Sequence, residues 1–305
     1  MTGKGRNKSR PSKEKKDEAR YVLDQFTKTD LSKWQRLADG LDAHHISLYF
    51  YLEGLRKLHQ EDVRKALQAP ASVSIAPNNW SRIVGYKYTL APLSAAGSIV
   101  SGGRFNIGGD LDPNQFPPFP ALYIAENYET AYAEKFGMTT SESRDGLSGH
   151  ELALRKPTSF SHVSLSGELS NLFDAGHNSS FTEFSVIISN FKITRELKAS
   201  ARRIGIKKPL VIDPTMLKQT LLGNDWRNYP VQYQIPANPQ VFGRLIKDAG
   251  YEGIVYPSTK GKGKCIAIFP ENFEGSDSYM EIADTPPKEA GCTRLDSKTW
   301  QDLTG

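Results

Sequence analysis

Cysteine is almost absent: the 305-residue chain holds two, Cys265 and Cys292, in unrelated contexts and without CxxC spacing. That scarcity supplies neither a disulfide framework nor a zinc ligand set, and it points to a reducing, cytoplasmic setting. Also missing is any apolar run near the roughly 20 residues that span a bilayer. The charged N-terminus has no apolar stretch behind it to serve as a secretion signal, so neither membrane insertion nor classical secretion is expected. Excess charge is missing from most of the chain too. The net charge of +5 resides in residues 1–20, where eight Lys or Arg face three acids, and the 31 basic and 31 acidic residues that remain cancel. A neutral body lacks the broad positive face that grips a phosphate backbone, which argues against nucleic acid as a partner.

What is present is enough apolar material for a core, 38% hydrophobic and 10% aromatic. Residues 1–20, lysine-rich and without aromatics, read as a disordered tail. Residues 21–70 turn helical, with Leu31, Trp34, Leu37 and Leu41, then Leu48, Leu52 and Leu55, recurring on one side. Two or three helices ending before Pro70 are expected, packed as a cap. Within them, adjacent His44 and His45 point about 100° apart on a helix and cannot share a metal.

Further along, WSRIVGYKYTL (80–90) reads as a strand with Arg82 near its start, and DLDPNQFPPFPA as a proline-dense wall or lid. Residues 137–180, rich in Ser, Gly, Asp and His, read as an insertion. FTEFSVIISNFKIT and the segment Leu210 to Ile212 read as strands by β-branched and aromatic content. In NPQVFGRLIKDAG, Pro239 suits a first helical turn, Val241, Leu245 and Ile246 face inward, and Gly250 closes the helix. Strands Ile254 to Tyr256 and Cys265 to Phe269 flank STKGKGK, and a polar tail spans 281–305, with Trp300 marking a docked part. The GKGK run lacks the glycine spacing and the Ser or Thr of a Walker A loop. The sum is an α+β domain over 80–280 with an N-terminal helical segment.

The most informative stretch is SGGRFNIGG (101–109) with ALYIAENYETAYAEKF (121–136). Two glycines free the backbone to turn tightly beside a ligand, and Arg104 follows as a planar five-donor cation. Asn127 caps a helix whose positions 127, 130, 131 and 134 share a face, which presents Glu134. GGRFN, LYIAEN, AYAEKF and, far downstream, YEGIVYPSTKGKGKCIAIFP together resemble the RES domain family over about Trp80 to Phe273. By that resemblance the family's Arg, Glu and Ser fall on Arg104, Glu134 and Ser258; Arg82 matches a further basic position and Tyr123 the strand tyrosine. Ser258 lies 124 positions beyond Glu134, more than a compact member needs, which is why an insertion is expected.

The resemblance implies an ADP-ribosyltransferase-like mixed β core and NAD as substrate, with the nicotinamide–ribose bond cleaved. It also implies a toxin that lowers cellular NAD, held in check by a separate antitoxin or immunity protein. Physical chemistry fits one carboxylate to that reaction. Nicotinamide departs neutral without a general acid, so Glu134 need only hold a ribose hydroxyl and offset the growing positive charge. Arg82 and Arg104 suit the pyrophosphate, Tyr123 a ring or ribose face, and Ser258 a hydrogen bond to ribose or phosphate. No metal is expected. Each residue keeps a plainer alternative: Arg104 bracing its turn through a carboxylate, Glu134 a solvated helix position, Tyr123 core, Ser258 a turn residue. The acceptor stays open among water, inorganic phosphate and a protein side chain, the last making the chain a protein ADP-ribosyltransferase. Homodimerisation stays open as well. Outside the enzymes, the alternative is a nucleic-acid-associated protein anchored by the basic tail.

Overall fold

The computed structural model describes residues 28–137, 143–144, 147–148, 159–206, 210–211 and 213–304. The tail expected over 1–20 lies outside them. A 31-residue helix, α1 (Lys28–Leu58), leads into α2 (Gln60–Gln68). Strands β1 (Val73–Ile75) and β2 (Trp80–Gly85) precede α3 (Ala96–Ser101), β3 (Leu122–Ala125) and α4 (Tyr128–Phe136). A small hairpin, β4 (Ser143–Arg144) with β5 (Leu147–Ser148), comes before β6 (Phe160–Asp174). Five helices follow: α5 (Thr182–Ser189), α6 (Arg195–Arg203), α7 (Pro214–Leu222), α8 (Asn228–Tyr233) and α9 (Asn238–Asp248). The chain then returns to the sheet with β7 (Gly253–Pro257), β8 (Lys264–Ile268), β9 (Tyr279–Ile282) and β10 (Arg294–Leu295), and closes on α10 (Trp300–Thr304).

The sheet runs β10-β9-β6-β2-β3-β8-β7, and its path closes on itself. Phe160 to Gly85 begins the antiparallel pairing of β6 with β2, whereas Leu172–Asp174 at the far end of β6 pair in parallel with β7. Alternation then divides two cores. Leu122, Ile124, Val255, Ile266 and Ile268 face one way, with Leu93 and Met280. Ala121, Ala125, Ile254 and Tyr256 face the other, against the helices, where Phe105, Phe181 and Phe242 are buried. A mixed sheet with flanking helices is the α+β class expected.

Several expectations need correction. The span 137–180 is not all insertion, because β6 lies inside it and pairs with β1, β2, β7 and β9. Its Val163, Leu165, Gly167 and Leu169 are buried at two-residue spacing, and intervening serines disguise the alternation. FTEFSVII is helical rather than extended: Phe181, Phe184 and Ile188 recur at helical spacing and pack on the core, which overrides β propensity. Leu210 and Val211 are in a loop, and Ile212 lies outside the described residues. Helix α1 is continuous, yet Trp34 and Leu37 are 65% and 49% exposed, so the inward stripe expected there is not buried. The proline-dense loop is pinned by buried Phe116 and Phe119, a wall and not a lid. The tail, by contrast, docks in part as Trp300 suggested: β10 pairs with β9, and Ala95 N–H donates to Leu303 O at 2.8 Å.

Helix α9 meets expectation, with Pro239 in its first turn and Val241 and Ile246 buried. Its Gly243 lets it sit directly on the 101–109 turn, since a Cβ there would collide with the Phe105 carbonyl oxygen. Gly243→Ala should therefore destabilise the fold by about 1–3 kcal/mol in urea unfolding, despite alanine's higher helix propensity. Gly54→Ala, in α1 with nothing within 4 Å of the added methyl, should stabilise by about 0.5–1 kcal/mol. Equal effects at the two positions would refute the close-contact reading.

Candidate active site

Three segments converge at the end of β7. Helix α4 starts where Asn127 Oδ1 accepts from Thr130 N at 2.9 Å, and its Thr130 and Ala131 are buried while Glu134 is half-buried. The β7–β8 turn packs on the same helix, with Gly263 N donating to Thr130 Oγ1 at 3.2 Å. Ser258, at the head of that turn, donates its hydroxyl proton to Glu134 Oε1 at 2.7 Å and accepts from Gly261 N at 2.7 Å and Lys260 N at 3.2 Å. A hydroxyl has one proton to give, so in this state Ser258 holds Glu134 and has none for a ligand. Thr259 N–H reaches the same Oε1 at 2.9 Å. Among the described residues, Oε2 has no hydrogen-bond donor.

Thr259 also ties in the arginine, since Arg104 Nη2 donates to its Oγ1 at 3.0 Å. Arg104 is 5% exposed. Its Nη1 donates to the carbonyls of Leu221 at 3.1 Å and Gly223 at 2.8 Å, at the C-terminal end of α7, where the helix dipole is negative. The Trp226 ring lies 5.7 Å from the guanidinium carbon. No carboxylate lies within ion-pair distance of Arg104 among the described residues.

The turn itself is held from both sides. Tyr123 OH accepts from Phe105 N and donates to Asn106 Oδ1, each at 2.9 Å, and a side chain on Gly103 would strike that hydroxyl. Gln240 of α9, buried, donates from Nε2 to the Gly103 and Asn106 carbonyls at 3.3 and 3.2 Å. Arg227 adds a long bond to Gly102 O and lies over Trp226.

Arg82 does not join this group. Alternation along β2 puts it on the face of Trp80, opposite Ile83 and the Tyr123 ring. Its guanidinium clamps three carbonyls, Pro92 at 2.8 Å and Ser94 and Tyr123 at 2.9 Å, and desolvation lowers its pKa to about 10. The expectation that it grips pyrophosphate is corrected: it anchors β3 from behind. Sequence reasoning missed Thr259, Gln240 and Trp226. Thr259 had one signal, adjacency to Ser258; the other two had none.

The sequence model of the RES domain matches residues 79–286, and the chain belongs to that family. Among solved structures it is similar to a chain of the M. tuberculosis MbcT-MbcA toxin-antitoxin complex, at 14% identity over 80% of this chain and 97% of that one, with a TM-score of 0.41. No curated protein matches. No helix among the described residues is long and apolar enough to cross a membrane.

Burial pushes up the pKa of Tyr123, Tyr256 and the Cys265 thiol, the Glu134 charge adding to the effect at Cys265 and Tyr256. Such groups stay protonated when folded, so the stability they lend is present below the ordinary ionisation range and is lost as pH rises above it. The urea midpoint should fall between about pH 9 and 11. Tyr123→Phe should cost about 1–3 kcal/mol at pH 8, by orphaning Phe105 N–H and Asn106 Oδ1, and should make that fall shallower. An unchanged slope in the variant would exclude Tyr123 as a contributor.

Proposed function

We propose that the chain cleaves the nicotinamide–ribose bond of NAD, with the dinucleotide held between Arg104 and Glu134. The observation that carries this reading is a buried guanidinium with no carboxylate partner among the described residues, one threonine away from a carboxylate fixed on a single oxygen. Buried charges are normally paired, and an anionic diphosphate would supply what Arg104 lacks. Its bonds to the neutral Leu221 and Gly223 carbonyls would give way to charge-assisted bonds to phosphate oxygens.

In this reading the C–N bond breaks with its electron pair passing to the nicotinamide ring nitrogen, which leaves uncharged. Positive charge then grows on the ribose. Glu134 offsets it and accepts from a ribose hydroxyl through Oε2, while Ser258 and the Thr259 N–H keep the carboxylate from turning. Tyr123 offers its ring beside the turn, and Arg82 contributes only by anchoring β3. The cation formed is captured by water, phosphate or a protein nucleophile. NAD depletion by a toxin, countered by an antitoxin, extends the reading as the family resemblance implies.

Purified protein incubated with NAD should release free nicotinamide, and Glu134→Gln, which keeps the shape but removes the charge, should slow release by about 10²–10³-fold. Absence of release by the wild type, or full release by a folded Glu134→Gln protein, would sink the proposal. Product analysis with and without phosphate, and a gel of labelled NAD, identify the acceptor.

A further inference from the structure

A diphosphate carries two negative charges, and Arg82, expected to share them with Arg104, is committed to carbonyls behind β3. A second cation nevertheless stands at the Arg104 turn. Arg227 lies in the short loop between α7 and α8, the same loop whose Gly223 carbonyl accepts from Arg104. Its guanidinium carbon is 4.6 Å from the centroid of the Trp226 ring and that of Arg104 is 5.7 Å from it, so one indole has both cations in range. Its Nη2 reaches the Gly102 carbonyl at 3.4 Å, which puts it beside the glycines that lead into Arg104. Burial raises the Tyr123 pKa, and the charges of Arg104 and Arg227 both oppose that rise, so the two act on one hydroxyl.

The two arginines are held differently. Arg104 is buried and gives three hydrogen bonds, whereas Arg227 is exposed, gives one long one, and has no carboxylate within ion-pair distance among the described residues. A planar fork with unused donors suits phosphate oxygens. We infer that Arg227 is the second cation of the dinucleotide site, gripping the diphosphate from the solvent side while Arg104 grips it from within, with Trp226 as the platform that holds the outer guanidinium. The inference rests on the NAD reading and supplies the charge that Arg82 does not. Its role is binding: Arg227 makes no hydrogen bond or ion pair with Glu134 or Ser258 among the described residues, so the bond-breaking step does not depend on it.

Two measurements on the full chain test it: steady-state kinetics of nicotinamide release, and calorimetric titration with ADP, which keeps the diphosphate but lacks the nicotinamide. Arg227→Ala should raise both the KM for NAD and the Kd for ADP about tenfold, with kcat within about twofold and the urea midpoint unchanged. Arg227→Lys, which keeps the charge but loses the fork, should fall between the two. A wild type that releases nicotinamide while Arg227→Ala matches it in KM and ADP affinity would overturn this inference and leave the NAD reading standing. A variant that loses kcat at unchanged KM would overturn it as well. If the wild type releases no nicotinamide but ADP affinity still drops about tenfold in Arg227→Ala, NAD cleavage fails and the diphosphate grip is upheld. A wild type that neither releases nicotinamide nor binds ADP overturns both.

Discussion

Two hydrogen bonds from one residue tie the candidate site together: the Thr259 backbone N–H fixes Glu134, and its hydroxyl accepts from Arg104. Those charges come from segments far apart in sequence that the sheet brings together: the Arg104 turn precedes β3, Glu134 rides on the helix after it, and Thr259 follows β7. For the bridge to form, β3, β8 and β7 must lie side by side in register, with Tyr123 opposite Ala267 and Tyr256 opposite Cys265. Closing the sheet through β6 fixes that arrangement from the other end. The helices then act on the turn, α9 through Gln240 and the bare Gly243, and α7 through the carbonyls that Arg104 takes.

Within this arrangement Arg104 is buried with no carboxylate partner among the described residues. An arginine that merely braced its loop would be expected beside an acid, which lowers the cost of burying it. Here carbonyl and hydroxyl oxygens, none of them charged, accept its three hydrogen bonds. Glu134 shows the matching asymmetry, one oxygen held and the other without a donor among the described residues. Ser258 shows a related commitment: its hydroxyl proton is given to the Glu134 carboxylate.

Much of the site was legible because its signals are local. Asn127 announces α4 and sets the phase that presents Glu134; Pro239 and Gly250 bracket α9; the paired strands around STKGKGK deliver Ser258. What stayed hidden depends on tertiary placement. The serines of β6 resemble loop composition until the buried Val163, Leu165 and Leu169 are seen on one face. Phe184 and Ile188 have strand-like neighbours but are claimed by the helical core. Arg82 lies near the right residues in sequence, yet a side chain's face of the sheet is decided by register, and it falls behind β3. Gln240 reaches the turn across 137 positions, a contact no local pattern encodes.

The most direct test is a crystal structure with a slowly cleaved NAD analogue bound. The account predicts diphosphate oxygens on the Arg104 guanidinium in place of the Leu221 and Gly223 carbonyls, and a ribose hydroxyl on Glu134. An analogue seated elsewhere, with Arg104 still bound to those carbonyls and Glu134 untouched, would contradict it.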